Sequence, residues 1–135
     1  MRKKNDQGFS LVELIIVIAI MAILIGVLAP AYIKYVDKSR TSADEDMADT
    51  LLTAGYLLSA DEDYVDGLSD GNTITLTSSG IVLNQNGTTI EDGLNEFVSG
   101  WNGKKTVSNT YRSRSYVVLF SENNGAFTVT GSWTP

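Results

Sequence analysis

Glu13 is the one charged residue between Gly8 and Ile33, a stretch that reads GFSLVELIIVIAIMAILIGVLAPAYI. A carboxylate beside so apolar a run costs on the order of a few kcal/mol in lipid even on lenient scales, so something must compensate for it. Two kinds of chemistry can. Ser10 and Glu13 stand at capping-box spacing, in which hydroxyl and carboxylate satisfy orphan backbone N–H groups at a helix start. The second route is a cut after Gly8, which has no side chain to shield the peptide bond. Cleavage there places a new α-amino group on Phe9, four residues before the acid. A buried carboxylate facing an ammonium is far less costly than either charge alone. Within one chain the two groups share a turn. Between chains, Glu13 of an incoming copy neutralises Phe9 of its neighbour and sets an axial register for otherwise nonspecific apolar helices.

The remaining composition removes most other chemistry. There is no cysteine and no histidine, so disulfides, thiolate metal sites and the commonest general base are all missing. Serine hydrolase, cysteine protease and zinc-site readings lack their usual parts. Neither enzyme activity nor a cofactor is expected. The formal charge is −6, and without the leader's three bases and one acid it becomes −8, seven bases against fifteen acids. Such a balance argues against general affinity for nucleic acid. Lys104, Lys105, Arg112 and Arg114 lie close together in sequence and read as solvated loop charges. Asp61, Asp63 and Asp66 are weak calcium candidates. Counting an EF-hand loop from Asp61 puts Val65 where an oxygen ligand belongs and Asp66 where glycine belongs, so a solvated turn is the better reading. Asn86-Gly87-Thr88 matches a glycosylation sequon but reads as a turn.

The elements that must position Glu13 follow from periodicity. Leu14 to Ile33 is twenty residues without a charge, about 30 Å of helix, which spans a bilayer core. Arg2, Lys3 and Lys4 against Asp6 leave about +2 ahead of it, a bias that keeps the N-terminus cytoplasmic. Beyond Pro30, Val36, Ala43, Met47, Leu51, Ala54 and Leu58 form an amphipathic stripe, with Asp37, Lys38, Arg40, Asp44, Glu45 and Asp49 mostly on other faces. One continuous helix from about Phe9 to Leu58 accounts for both halves, roughly 75 Å long. Pro30 crowds the carbonyl of Gly26, giving either a tolerated kink or a segment, Gly26 to Pro30, that unwinds when subunits pack.

The acidic stretch Asp61–Gly67 reads as the loop that ends this helix. Short strands follow at Thr73–Ser78 and Gly80–Asn84, with Ile74, Leu76, Ile81 and Leu83 on one side. Ile90 to Val98 is either a short helix or a covering loop. Ser115–Ser121 and Ala126–Trp133 are strands joined by a hairpin turn at Glu122–Gly125, because Asn-Gly accepts positive φ.

Gly8, Phe9, Glu13, Pro30, Tyr32 and Tyr35, at this spacing, resemble the class III signal and first helix of type IV prepilins and the related pseudopilins. The resemblance covers roughly residues 1–58. It implies cleavage after Gly8 by a membrane aspartic peptidase, N-methylation of Phe9, intersubunit pairing by Glu13, and loosening of the helix between Gly26 and Pro30. The implied fold is α+β and type IV pilin-like, a long N-terminal α-helix packed on a small antiparallel β-sheet head. The expected segments are a cleaved leader 1–8, a membrane or filament-core helix 9–33, its amphipathic continuation 34–58 and a head 59–135. Many such proteins close a C-terminal loop with a disulfide; with no cysteine, this head is expected to be held by its core alone.

The implied function is a structural subunit, a major pilin, that polymerises into a helical surface filament. Its implied partners are further copies, the prepilin peptidase/methyltransferase, an assembly ATPase and a membrane platform protein. The precursor would sit in the cytoplasmic membrane with its head outside. A pseudopilin of a type II secretion or DNA-uptake machine is the alternative, with nucleic acid only as cargo. An unprocessed membrane-anchored binding domain is the further one.

Overall fold

The computed structural model describes residues 8–84 and 88–135. The leader residues Arg2, Lys3 and Lys4, and Asn86 and Gly87 of the sequon, lie outside the described residues. Helix α1 (Leu11–Ala60) is 50 residues long and stays helical through Gly26 and Pro30. The chain divides into two compact units after Val36.

In the first unit the helix is apolar on every face. Large side chains from Leu11 to Ile33 are at least half exposed, and the helix is long and apolar enough to cross a membrane. An amphipathic surface helix would bury one stripe; among the described residues this segment buries none.

The second unit, Asp37–Pro135, holds the core. After α1 come the short helix α2 (Glu62–Val65), strands β1 (Thr73–Thr77) and β2 (Gly80–Leu83), helix α3 (Thr88–Phe97), a 3-10 turn at Trp101–Gly103, and strands β3 (Ser115–Asn123) and β4 (Ala126–Thr134). The strands form one antiparallel sheet in the order β2-β1-β3-β4. This is the expected α+β arrangement, a long N-terminal helix packed on a four-stranded antiparallel sheet.

Strand alternation explains the register. Ile74 pairs with Leu83 and Leu76 with Ile81, so the four apolar residues share one face. Across β3 and β4, Tyr116, Val118 and Phe120 face Trp133, Gly131 and Val129. The hairpin between them turns at Asn124 (φ 53°) and Gly125 (φ 80°), the two left-handed residues that a tight twisted turn requires. Leu51 and Leu58 from α1 are fully buried against this face with Ile74, Leu76, Leu94, Val118 and Phe120. Each such side chain contributes roughly 1.5–3 kcal/mol of burial. Gly55 lets α1 approach closely: a Cβ there would stand 2.9 Å from Val118 Cγ1 and from Val129 Cγ1.

Two expectations need correction, and one open alternative is resolved. Asp61–Gly67 is not a plain loop; α2 forms there, with the Asp61 carboxylate accepting from the Asp63 N–H (2.9 Å) as its N-cap. The buried stripe of α1 runs through Asp44, Ala48, Leu51, Ala54, Gly55 and Leu58. Ala43 is exposed, and Asp44, assigned to the outer faces, is 1% exposed. Of the two readings of Ile90 to Val98, the helix is the one that forms.

Candidate functional site

Helix α1 begins at a formed capping box. The Ser10 N–H donates to Glu13 Oε2 (3.2 Å), and the Glu13 N–H donates to Ser10 Oγ (3.3 Å). Leu14 N–H closes the first turn on the Ser10 carbonyl at 3.2 Å. These bonds answer N–H groups that the first turn of any helix leaves orphaned. None of them uses the Gly8–Phe9 peptide bond, so a cut there leaves the box intact.

Gly8, Phe9 and Ser10 are all exposed, Phe9 by 84%. A Cβ on Gly8 would meet nothing within 4 Å, and the same is true of Gly26. Neither glycine is demanded by packing within this chain. Both permit the close approach of something outside it. Pro30 lies inside α1 as expected from sequence, four residues after Gly26. The structure therefore gathers Gly8, Phe9, Ser10 and Glu13 into one exposed first turn, while Gly26 and Pro30 lie further along the same helix.

A second polar site was not foreseen. The Asp44 carboxylate accepts from Val107 N–H (2.8 Å) at Oδ1, and from Ser108 N–H (2.9 Å) and Ser108 Oγ–H (2.6 Å) at Oδ2. Ser108 Oγ in turn accepts from the Tyr111 N–H at 3.3 Å. Tyr111 O–H donates to Glu45 Oε1 at 2.8 Å, and that bond, with burial, pushes the phenol above its usual pKa. The Tyr111 ring stacks on Trp133 with centroids 3.9 Å apart. Together these contacts fasten the irregular segment between Lys104 and Arg114 to α1 and to β4. The head is thus not held by its apolar core alone; a buried carboxylate ties this segment down where a disulfide is impossible. The available signal was register: Asp44, Ala48, Leu51, Gly55 and Leu58 advance by four, three, four and three, which is one helix face.

The weak calcium candidates are used differently. Asp61 caps α2, and among the described residues no group of three or more acidic, histidine or cysteine side chains is arranged to hold a metal. Nearby, Tyr64 O–H donates to Glu96 Oε2 and its ring meets Phe97 edge-on at 5.8 Å, clamping α2 to α3. The hydrogen bond to Glu96 is the main reason the Tyr64 phenol is pushed up to about 12.

Among comparisons with known proteins, one concerns the same N-terminal stretch. The family model described as "Prokaryotic N-terminal methylation motif" matches residues 3–29. The Type IV major fimbrial protein FimA of Dichelobacter nodosus is 35% identical over 83 residues, which is 62% of this chain and 48% of that protein. The chain spans about half the length of this curated relative. No solved structure matches the chain. The chain thus carries a prokaryotic N-terminal methylation motif, is similar over part of its length to a major fimbrial protein, and has a type IV pilin-like architecture, a long N-terminal helix packed on an antiparallel sheet.

Proposed function

We propose that this chain is a structural subunit that is cut after Gly8, methylated on Phe9 and polymerised into a type IV pilus. The observation that carries the reading is the first half of α1. From Leu11 to Ile33 its large apolar side chains are at least half exposed, and nothing among the described residues buries them. Exposed apolar area of this extent needs lipid or other helices around it. A subunit stored in the cytoplasmic membrane and later packed into a filament core satisfies the requirement in both states. The major-subunit reading is favoured over the pseudopilin because the relative that matches is itself named a major fimbrial protein.

Glu13 is the register element in this scheme. Its capping bond engages Oε2, which leaves Oε1 free in the scheme to receive the Phe9 ammonium of a neighbouring copy. The small side chains of Gly26, Ala19, Ala22 and Ala29 permit close helix approach. In the assembled state, Gly26 to Pro30 is where α1 loosens, because Pro30 supplies no N–H and Gly26 is a poor helix former. Processing requires a membrane peptidase/methyltransferase. Extraction from the membrane requires work from a cytoplasmic ATPase acting through a platform protein. The positive leader keeps the N-terminus cytoplasmic and the head outside.

The test is mass spectrometry of the subunit recovered from sheared surface material. The expected N-terminus is a methylated Phe9. An intact Met1 on surface-exposed chains would overturn the processing step and leave only an anchored domain.

A further inference from the structure

The unit Asp37–Pro135 carries six cations, Lys38, Arg40, Lys104, Lys105, Arg112 and Arg114, against fourteen acids. Three of those cations, Arg40, Lys105 and Arg112, line one open cavity of about 560 Å³ together with Ser78, Thr106 and Ser108. The lining converges from three places. Arg40 comes from α1, Ser78 from the turn between β1 and β2, and the rest from the segment that Asp44 fastens down. Thr106 N–H donates to the Thr77 carbonyl at 3.1 Å, which fixes that segment against the C-terminal end of β1.

Thr106 supplies a second, independent observation. It is 5% exposed, and its Oγ1 is buried with no hydrogen-bond partner among the described residues. A buried hydroxyl without a partner is unfavourable. Thr106 lines the cavity, so an acceptor bound there is a candidate partner for this hydroxyl. Asp44 stands behind Ser108, but its oxygens already accept three hydrogen bonds, and three cations outweigh one carboxylate. Two guanidinium forks, an ammonium and hydroxyl donors make a set suited to an oxyanion approached from several sides.

The surroundings limit what that oxyanion can be. A nucleic acid would have to lie along a surface on which thirteen acids besides the buried Asp44 are carried, where each further phosphate is repelled. A compact dianion placed in the cavity meets a lining of three cations, hydroxyl side chains and Val107, with no acid in it. The volume exceeds that of inorganic phosphate and falls in the range of small-molecule sites, about 300–1,000 Å³. We infer that the cavity lined by Arg40, Lys105, Arg112 and Thr106 binds a single phosphate group carried on a small polar molecule, such as a sugar phosphate. This site is separate from the first-turn residues and does not depend on filament assembly.

Calorimetric titration of the full chain in non-ionic detergent micelles tests it, with glucose 6-phosphate, unphosphorylated glucose and a short single-stranded oligonucleotide as probes. Saturable binding of glucose 6-phosphate to one site per chain is expected, with none for glucose. Arg40→Gln and Arg112→Gln should each weaken it about tenfold, the loss of one charge-assisted hydrogen bond. Thr106→Val should weaken it severalfold, whereas Lys104→Gln, outside the lining, should leave it unchanged. Circular dichroism of each variant separates lost binding from lost folding. Absence of saturable binding, equal binding of glucose, or equal affinity in a folded Arg112→Gln chain would overturn the inference. So would tighter binding of the oligonucleotide, which would make the cavity part of a nucleic-acid surface.

Discussion

Three donors converge on the Asp44 carboxylate, and two of them, the N–H and O–H of Ser108, are buried with it. Val107 is exposed, so its N–H can turn to water if the acceptor is lost. The Ser108 donors cannot. Asp44→Ala should therefore destabilise the head by about 2–6 kcal/mol, two desolvated donors at about 1–3 kcal/mol each. Asp44→Asn can keep its oxygen at the Oδ2 position, where it still accepts from both Ser108 donors, and loses only the bond from the exposed Val107, so its cost should be about 1–2 kcal/mol. Urea unfolding of the full chain in micelles measures both, with fluorescence of Trp133, stacked on Tyr111, as a local reporter. Identical midpoints for wild type, Asn and Ala would remove Asp44 as a fastening. This residue was hard to read from sequence because an acid among acids on a polar-looking helix turn normally faces water. Its partners, Val107 and Ser108, lie more than sixty residues away and carry no motif. By contrast, the Ser10–Glu13 box was legible because both partners sit within one turn, where spacing alone decides contact.

The elements follow the same rule of locality. Strands β1 to β4 and the Asn124-Gly125 turn were legible because alternation and positive-φ residues are local signals. α2 was hidden, since one helical turn is too short for periodicity and its acids favour a loop reading. α3 was ambiguous for a related reason, a glycine in the middle of ten residues. The structure explains that glycine: a Cβ on Gly93 would lie 2.0 Å from Leu58 Cδ2, and Leu58 is fully buried. Two effects oppose each other in Gly93→Ala. Helix propensity favours alanine by about 1 kcal/mol, and overpacking a filled core costs about 1–3 kcal/mol. Leu58 has no free space to swing into, so the second effect should win. Gly93→Ala is expected to lower the urea midpoint by the equivalent of up to about 2 kcal/mol. A stabilised variant would mean that α3 can move away from α1 at little cost.

At the scale of the whole molecule, an unpartnered apolar helix segment and a folded, acidic head serve different needs. Apolar burial in a filament core, at about 25 cal/mol per Å², supplies cohesion but no direction. Direction has to come from a polar pair, and Glu13 is the only charged group in the apolar stretch. Capping and pairing can be separated by substitution, because a capping box accepts glutamine as well as glutamate. Glu13→Gln keeps the bonds with Ser10 and removes the charge. Glu13→Ala removes both, and the cap alone accounts for only about 1 kcal/mol. Breaking a buried charge pair by deleting one partner costs about 3–5 kcal/mol, enough to lower association by more than about a hundredfold. Both variants should therefore be cleaved after Gly8 and held in the membrane, yet yield little sheared filament, with glutamine nearly as poor as alanine. Filament yield and N-terminal mass are read from the same cells, so a processing failure is distinguished from an assembly failure. If Glu13→Gln filaments appear at wild-type levels while Glu13→Ala filaments do not, the acid serves its own helix start. The register between copies must then come from another pair.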